Sequence, residues 1–268
     1  MRGRRLAGLV LASALGLAAC GARTAPPPGN PEATLAHSGS RMGLGDTDPH
    51  PWAGPDPAGL PVQGLDVSRF QGPINWQAVA GAGVRFAFIN ATEGGDLIDP
   101  EFRTNMRGAA RAGIARGAYH FFYHCRSAAE QARFFIASVP RQAGALPPVL
   151  DIEWTPTSPT CTIRRDASVI RAEMLDFQRI VGAHYGQRPL IYTTVDFWRD
   201  NDLGQLRGEE FWLRSVAAHP SEIYPGQSWT LWQHTSTGLV PGIGTETDIN
   251  AFVGSDAAWQ AWLARRAP

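Results

Sequence analysis

Short apolar runs alternate with amphipathic segments from residue 62 onward, a pattern that predicts strands alternating with helices. Eight runs have the length and composition of buried strands, at residues 62–67, 85–90, 115–122, 146–153, 190–193, 211–216, 230–234 and 248–252. Between them, Phe102, Met106 and Ala109 recur at helical spacing. The pattern therefore predicts an α/β fold.

Helix start and stop signals refine this expectation. The expected N-caps, which share a short polar side chain, are Asn75, Asp99, Ser127 and Asp166. Helical signals weaken after Gly186, and one more helix is expected over residues 257–265. Eight strands with fewer than eight helices predict one TIM-like (β/α) barrel over residues 62–268, in which loops join the last strands.

Residues 1–19 predict a secretory signal peptide that is not part of the fold. Three arginines precede an apolar run of about a dozen residues, which is too short to span a membrane as a mature helix. The run ends Leu17-Ala-Ala-Cys20, which resembles the lipobox of bacterial lipoproteins. That resemblance implies cleavage before Cys20 and acylation of its thiol. An ordinary signal peptide with a chance cysteine is the alternative.

A lipid on Cys20 would anchor the protein in the cell envelope, facing the periplasm. The absence of Asp at position 21 is compatible with the outer membrane of a Gram-negative cell. Residues 20–61 are expected to be a disordered or extended tether, because nine prolines and seven glycines occur between 21 and 61. Without the three arginines of the signal, 21 arginines face 24 acidic residues, so no polybasic patch would assist the lipid.

The composition excludes several classes of function. All 24 basic residues are arginine, so P-loop, Schiff-base and kinase chemistry, which need a lysine, are excluded. Equal numbers of basic and acidic residues argue against a nucleic-acid-binding protein. His120 and His124 are four residues apart at a strand end rather than on a helix, so they do not share a face as ligands would, and no metal site is predicted. No cofactor is predicted, and a monomer is expected.

The cysteines predict one disulfide. Once Cys20 is acylated, Cys125 and Cys161 remain as an even pair in an oxidising compartment. Each follows a predicted strand in a polar loop. Two unpaired thiols are the alternative.

Acidic and aromatic residues cluster at the ends of the predicted strands, where the chemistry of a (β/α) barrel is located. The acids are Asp66, Glu93, Asp151, Glu153 and Asp248, and the aromatics are Tyr119, Tyr192 and Trp232. Several separate strands therefore direct carboxylates to one mouth.

The most informative motif is Asp151-Ile-Glu153, at the end of an apolar run. Residues i and i+2 of a strand point to the same face, so both carboxyls should face the barrel interior while Ile152 packs outward. Two close carboxylates cannot both ionise freely, so the pKa of one should rise, as it does in glycosidases. A surface pair or a cation site would have the same spacing.

Nine segments in chain order resemble glycoside hydrolase family 25, the N-acetylmuramidases of fungi, Streptomyces and phage endolysins. They are 64–72 (G-L-D-V-S-R-F-Q-G), 91–94 (A-T-E-G), 99–102 with Asn105, 117–121 (G-A-Y-H-F), 130–134, 150–153 (L-D-I-E), 188–192 (R-P-L-I-Y), 232–236 (W-Q-H-T-S) and 248–250 (D-I-N). The resemblance implies a flattened barrel of eight strands with fewer than eight helices. It also implies hydrolysis of the β-1,4 bond between N-acetylmuramic acid and N-acetylglucosamine in peptidoglycan.

The resemblance also implies roles for single residues. Glu153 matches the proton donor of the family, and the other active-site acids match Asp66, Asp151 and Asp248. Their division of labour stays open between direct nucleophile, water activation and binding of the substrate's own N-acetyl group. The aromatics that would stack on sugar faces match Tyr119, Tyr192 and Trp232. Glu93 matches a family acid that is equally well explained as a structural or a catalytic residue.

The sequence departs from the family pattern in two places. Asn90 stands where the family commonly has lysine, so the partner of that cation must be satisfied differently. A loop rich in proline and threonine follows Trp154 and could reshape one end of the groove. Two functions remain open, a peptidoglycan-cleaving muramidase and a non-catalytic peptidoglycan-binding lipoprotein built on a hydrolase barrel.

Overall fold

Eight strands close into a barrel in the computed structural model, which describes residues 43–266. The strands of this part of the chain are β1 (Gly45–Asp46), β2 (Gln63–Val67), β3 (Phe86–Glu93), β4 (Leu97–Ile98), β5 (Ala115–Phe121), β6 (Val149–Asp151), β7 (Leu190–Thr193), β8 (Phe211–Arg214), β9 (Leu231–Leu239) and β10 (Thr247–Phe252). The helices are α1 (Trp76–Gly81), α2 (Phe102–Arg111), α3 (Ala128–Ser138), α4 (Ala167–Tyr185), α5 (Val195–Asp200), α6 (Pro220–Ile223) and α7 (Asp256–Ala264). The predicted α/β barrel is therefore confirmed.

One strand of the barrel runs against the others. The closed order is β9-β10-β2-β3-β5-β6-β7-β8 and back to β9, and every pair is parallel except the two that β10 makes with β9 and β2. The two-residue strands β1 and β4 add to β9 and β3. Because β10 is reversed, it presents its first residues at the end where the parallel strands present their last. This reversal brings Asp248 to the same end as Asp151.

The core has two layers that follow the alternation of side chains along each strand. Phe86, Phe88 and Trp212 point inward and fill the barrel with other inner residues. The residues next to them in sequence, such as Ile89 and Leu213, point outward and pack under the helices. The strands are buried on both faces, which is why they read as continuous apolar runs.

Two glycines make room for the inner phenylalanines. Gly64 pairs with Phe86 and Gly117 pairs with Phe88 across neighbouring parallel strands. A Cβ atom on Gly64 would lie 2.4 Å from the Phe86 ring, and one on Gly117 would lie 2.6 Å from the Phe88 ring. Larger side chains at these positions would therefore force the inner rings to move.

Helix α7 closes the barrel at the end opposite the site. Trp259 and Trp262 stack with centroids 5.2 Å apart, and Trp259 contacts Phe86 at 5.3 Å and Phe252 at 5.2 Å. These rings are buried. Only the opposite mouth, where the parallel strands end, therefore stays open for a substrate.

Most predicted helix caps agree with the structure. The side chains of Asn75 and Ser127 cap α1 and α3, and Gly186 ends α4 in the left-handed conformation, with φ of 71°. Asp166 is the N-cap residue of α4, although its side chain makes no capping hydrogen bond. Of the described helices, the short α5 and α6 lie where the sequence predicts loops, because one or two turns show no measurable period.

The predicted N-cap at Asp99 is wrong. Helix α2 begins at Phe102, and its N-cap residue is Glu101. The Asp99 carboxylate instead accepts hydrogen bonds from the backbone N–H groups of Glu101 at 2.8 Å and Arg69 at 2.7 Å. Asp99 therefore joins the start of α2 to the turn that follows β2.

Residues 43–61, which the sequence predicts to be part of the tether, lie against the barrel. β1 pairs with the end of β9, and the Thr237 hydroxyl donates to Asp46 at 2.6 Å. Trp52 meets Trp232 edge to face, with centroids 5.1 Å apart. The predicted signal peptide and Cys20 lie outside the described residues. Among residues 43–266, no helix is long and apolar enough to cross a bilayer.

Cys125 and Cys161 form a disulfide, with Cα atoms 5.7 Å apart. Cys125 follows β5 and Cys161 lies between β6 and α4, so the bond joins two loops at the open mouth. It closes a segment with a sequence separation of 36 residues.

We expect no free thiol in the denatured, unreduced protein carrying Cys20→Ala. Replacing both cysteines by serine should lower the free energy of unfolding by up to about 4 kcal/mol, because the bond restricts the unfolded chain. Thiol titration and urea unfolding measure the two effects. Two titratable thiols in the unreduced protein would contradict the bond.

Candidate active site

The open mouth of the barrel holds a cleft of about 440 Å³. The five acids predicted from the sequence all line it, namely Asp66, Glu93, Asp151, Glu153 and Asp248. They come from four different strands or strand ends. The cluster therefore exists only in the folded chain.

Strand alternation aims the four central carboxyls inward. Asp151 and Glu153 share the inner face with Val149, and Ile152 between them points outward and is completely buried. The Ile152 backbone N–H donates to the Tyr192 carbonyl at 3.1 Å, which continues the pairing with β7 beyond the end of β6. The predicted geometry of the Asp-Ile-Glu motif is therefore present.

Asp66 and Asp248 face each other across the antiparallel pair of β2 and β10. Directly opposite residues of such a pair have Cβ atoms about 5 Å apart, close enough for their side chains to touch. The two carboxyls are close enough for the charge of Asp248 to raise the pKa of Asp66. Burial and the proximity of two like charges both disfavour ionisation of the two groups at once, so the pair favours keeping a proton on one of them.

A chain of donors holds Asp66 in place. Its Oδ1 atom accepts hydrogen bonds from the side-chain amides of Asn250 at 2.7 Å and Gln233 at 3.1 Å. The Trp212 indole in turn donates to Asn250 at 2.8 Å, and the Tyr192 hydroxyl donates to Gln233 at 2.9 Å. Each amide oxygen thus accepts a hydrogen bond, which fixes the orientation of the amide group and directs its N–H toward Asp66. Of these four donors, only Tyr192 was predicted from the sequence as a site residue.

Burial and like charge raise the pKa values of the acids. Burial raises the pKa of Asp66 well above its ordinary value, and the charge of Asp248 adds to the effect. Burial and the charge of Glu153 do the same to the pKa of Asp151. Burial raises the pKa of Glu153 to about 7 and that of Asp248 to about 6. Protonated and ionised carboxyls therefore coexist in the cleft near neutral pH.

Arg214 moderates these shifts, although it was not predicted from the sequence. It ends β8 and shares the inner face with Trp212, so its guanidinium points toward the mouth. Its positive charge lowers the pKa values of both Glu153 and Asp248, whereas Asp196 on α5 raises that of Glu153. The alternation of side chains along the strand could have predicted this position, because Arg214 follows the inward Trp212 by two residues and therefore lies on the same face.

Glu93 belongs to a separate ion pair. It is 6% exposed and pairs with the guanidinium of Arg69, and it also accepts from Asn90 at 3.4 Å and from the Tyr123 hydroxyl at 3.4 Å. Arg69 therefore supplies the cation beside Glu93 in a chain that has Asn90 where lysine was expected. The pair joins the turn after β2 to the end of β3.

The predicted aromatics divide into two groups. Tyr119 and Tyr192 line the cleft, and burial raises the pKa values of both hydroxyls well above the ordinary one. The structure does not bring Trp232 to the cleft, because it is next to the inward Leu231 and so points outward. Trp232 is 2% exposed, and its indole donates to the Ser215 carbonyl at 2.7 Å. The aromatic lining that was not predicted from the sequence consists of Phe70, Phe121, Tyr123, Trp154 and Trp212.

The two histidines near the end of β5, His120 within the strand and His124 after it, are structural. Burial lowers the pKa of His120 to about 4, and its ring nitrogens contact Thr92 at 2.7 Å and Gln131 at 3.1 Å. Burial also lowers the pKa of His124, whose Nε2 contacts the Glu153 carbonyl oxygen at 2.9 Å. Within residues 43–266, no group of three or more His, Cys, Asp or Glu side chains is arranged to hold a metal ion.

This arrangement suits acid-catalysed cleavage of a glycosidic bond. Such chemistry needs a carboxyl that keeps its proton near the working pH and a second carboxylate that stays ionised. Burial raises the pKa values of Glu153 and Asp248 to about 7 and about 6, so protonated carboxyls are present in the cleft under mildly acidic conditions. The cleft walls add aromatic faces of the kind that stack on sugars.

Comparison with known proteins agrees with this chemistry. The family model described as "Glycosyl hydrolases family 25" matches residues 65–243. The chain is 38% identical to Lysozyme M1 of Streptomyces globisporus in an alignment of 278 positions, which covers 96% of this chain and 94% of the relative. It is 35% identical to N,O-diacetylmuramidase of Chalaropsis sp over 187 residues, covering 65% of this chain and 88% of the relative. The crystal structure of the bacterial lysozyme from Streptomyces coelicolor superimposes with a TM-score of 0.68 at 35% identity, covering 77% of this chain and 98% of that one.

The raised pKa of Glu153 predicts a pH-dependent effect on stability. In the unfolded chain its pKa is about 4.3, and in the folded protein it is about 7, so the folded state binds the proton more tightly. The resulting stabilisation is complete below the unfolded pKa and is lost as the pH rises through 7. We expect Glu153→Gln to be more stable than the wild type by about 1 to 3 kcal/mol at pH 8, with a smaller difference at pH 4.5.

Urea unfolding at the two pH values measures this difference. Glu222→Gln is the matched control, because Glu222 is exposed on α6, and it should change stability little at either pH. An equal effect of Glu153→Gln at both pH values would show that ionisation of Glu153 does not oppose folding.

Proposed function

The chain belongs to glycosyl hydrolase family 25, and from this membership we propose that it is a peptidoglycan muramidase with Glu153 as general acid. The reaction is hydrolysis of the β-1,4 bond between N-acetylmuramic acid and N-acetylglucosamine. The single observation that carries the assignment of Glu153 is its place in the cleft, at the inward-facing end of the Asp151-Ile-Glu153 motif, where burial raises its pKa to about 7. A carboxyl with this pKa keeps its proton in mildly acidic to neutral solution.

In this mechanism Glu153 donates its proton to the oxygen of the leaving sugar. The bond between that oxygen and the anomeric carbon breaks, and positive charge develops on the sugar ring. A water molecule then supplies the hydroxyl of the new reducing end, and the proton that this water releases returns the site to its starting state with Glu153 protonated. General acid catalysis of this kind contributes about 10² to 10⁴ in rate.

We assign the ionised carboxylate to Asp248. Its pKa of about 6 is below that of Glu153, so between these values Asp248 carries a charge while Glu153 carries a proton. Asp66 is held by two amide donors directly opposite Asp248, which suits it to position that carboxylate. Asp151 keeps a buried Oδ1 atom without a hydrogen-bond partner among the described residues, and burial and the charge of Glu153 raise the pKa of its carboxyl, which suits it to keep a proton beside Glu153.

The glycan strand is the substrate that fits the lining of the cleft. Tyr119 and Tyr192 form part of its floor, and Trp154 and Phe70 lie nearer its rim. Sugars combine apolar faces with hydroxyl groups, and a cleft with aromatic and carboxyl groups matches both. Relatives named lysozyme and N,O-diacetylmuramidase support the choice of peptidoglycan over other glycans.

Glu153→Gln should lose at least about a hundredfold in turnover on purified peptidoglycan, because the amide cannot donate the proton. Asp248→Asn should also lose activity, whereas Glu93→Gln should have the smaller effect expected for a residue in a structural ion pair. The loss of turbidity and mass analysis of the released sugar ends measure these changes, with Glu222→Gln as the control.

The same assay tests the alternative of a non-catalytic peptidoglycan-binding protein. A wild type that binds peptidoglycan and releases no new reducing ends would favour that alternative. Near wild-type activity of Glu153→Gln would instead remove Glu153 as the acid and leave the family activity to another carboxyl.

We further propose that the protein is a lipoprotein of the cell envelope, anchored through Cys20 and facing the periplasm. The support is the Leu17-Ala-Ala-Cys20 motif after a short apolar run. An anchored hydrolase would act on the glycan strands within reach of its tether. A monomer with peptidoglycan as its partner is sufficient for this activity.

Cys20→Ala should abolish partitioning into detergent, because the variant offers no thiol for the lipid. Phase partitioning of the wild type and the variant from membrane fractions measures the change. Equal partitioning of the two proteins would exclude the lipid anchor.

A further inference from the structure

The loop of residues 154–161, which we call the mouth loop, forms part of the cleft wall. It follows the catalytic motif directly and has no helix or strand of its own. Four of its eight residues line the cleft, namely Trp154, Thr155, Thr157 and Ser158. Its position therefore depends on the contacts made by its two ends.

The far end of the mouth loop is fixed through Cys161. This residue is 3% exposed and is bonded to Cys125, in the loop after β5. The Thr155 hydroxyl donates to the Cys161 carbonyl at 2.6 Å, and the Cys161 N–H donates to the Ser158 hydroxyl at 3.1 Å. These bonds connect the buried cysteine to residues that face the cleft. Moving Cys161 would therefore move the wall.

The near end is held by an aromatic cluster. The Trp154 indole donates to Asp200 at 2.9 Å, and its ring meets Phe197 with centroids 4.8 Å apart. The Arg164 guanidinium lies 4.5 Å from the centroid of the same ring. None of these contacts involves the disulfide, so they would remain after its removal.

Glu153 is also held by contacts outside the mouth loop. His124 contacts the Glu153 carbonyl oxygen, and the Ile152 N–H donates to the Tyr192 carbonyl. The charged groups that act on the pKa of Glu153 lie on β8, α5 and β10, outside the mouth loop. The wall and the acid are thus positioned by different contacts.

We propose that the Cys125–Cys161 disulfide is a positioning element that holds the mouth loop against the bound glycan and so sets substrate affinity without contributing to the chemical step. The inference rests on the proposed function, because it requires that the glycan occupies this cleft. A loop without regular structure loses conformational freedom when it closes on a ligand, and a disulfide that limits that freedom beforehand improves affinity.

Steady-state kinetics of the full chain on soluble glycan strands tests the proposal. The double variant Cys125→Ser, Cys161→Ser should raise KM about tenfold and change kcat less than about threefold, with the pH limits of kcat unchanged. Reduction of the wild type should raise KM in the same way, and reoxidation should restore it. Amide exchange should become faster in residues 154–161 and stay unchanged in β6.

A second variant keeps the disulfide in case the double variant folds poorly. Thr155→Val removes only the hydroxyl that donates to the Cys161 carbonyl, and it should raise KM in the same direction by a smaller factor. Thr104→Val is the matched control, because Thr104 is exposed on α2, and its KM should equal that of the wild type.

Binding of Glu153→Gln to insoluble peptidoglycan, with and without the disulfide, separates this inference from the proposed function. A wild type that does not cleave peptidoglycan, but binds it less tightly when reduced, would overturn the proposed function and support the inference. Unchanged KM and unchanged binding after loss of the disulfide would overturn the inference alone. A fall in kcat as large as the fall in kcat/KM would also overturn it.

Discussion

The site depends on one constraint, the burial of several carboxyl groups at one mouth of the barrel. Burial disfavours the ionised form of each acid, and their mutual repulsion adds to that cost. The protein meets the constraint in three ways: it keeps some of the carboxyls protonated, directs the amides of Asn250 and Gln233 at Asp66, and places Arg214 near Glu153 and Asp248. Because some of the buried carboxyls keep a proton while others ionise, the cluster can be buried, and the same difference provides both a proton donor and a carboxylate.

The barrel supplies the frame that this arrangement needs. Helix α7 closes the opposite end with Trp259 and Trp262, so the polar groups collect at a single open end. The reversed strand β10 then sets Asp248, near its start, directly opposite Asp66, near the end of β2. The site is thus a consequence of topology as much as of residue type.

Two differences between expectation and structure have the same origin in strand alternation. Trp232 was expected in the groove and points outward, whereas its neighbour Gln233 points inward and binds Asp66. Arg214 was not expected and faces the mouth, because it shares the inner face with Trp212. A shift of one residue along a strand exchanges the two faces, so residue type alone could not separate these cases.

The sequence by itself determined the alternation of strands and helices, the strand ends that carry the acids, and the inward direction of both carboxyls in Asp151-Ile-Glu153. These features are local, since they follow from apolar periodicity and from the two-residue repeat of a strand. The tertiary structure alone decided that Arg69 pairs with Glu93, that β10 is reversed, and which donors hold Asp66. Those features join residues that are far apart in the chain. No local sequence pattern specifies which distant side chain forms a contact, or which of several buried carboxyls carries the negative charge.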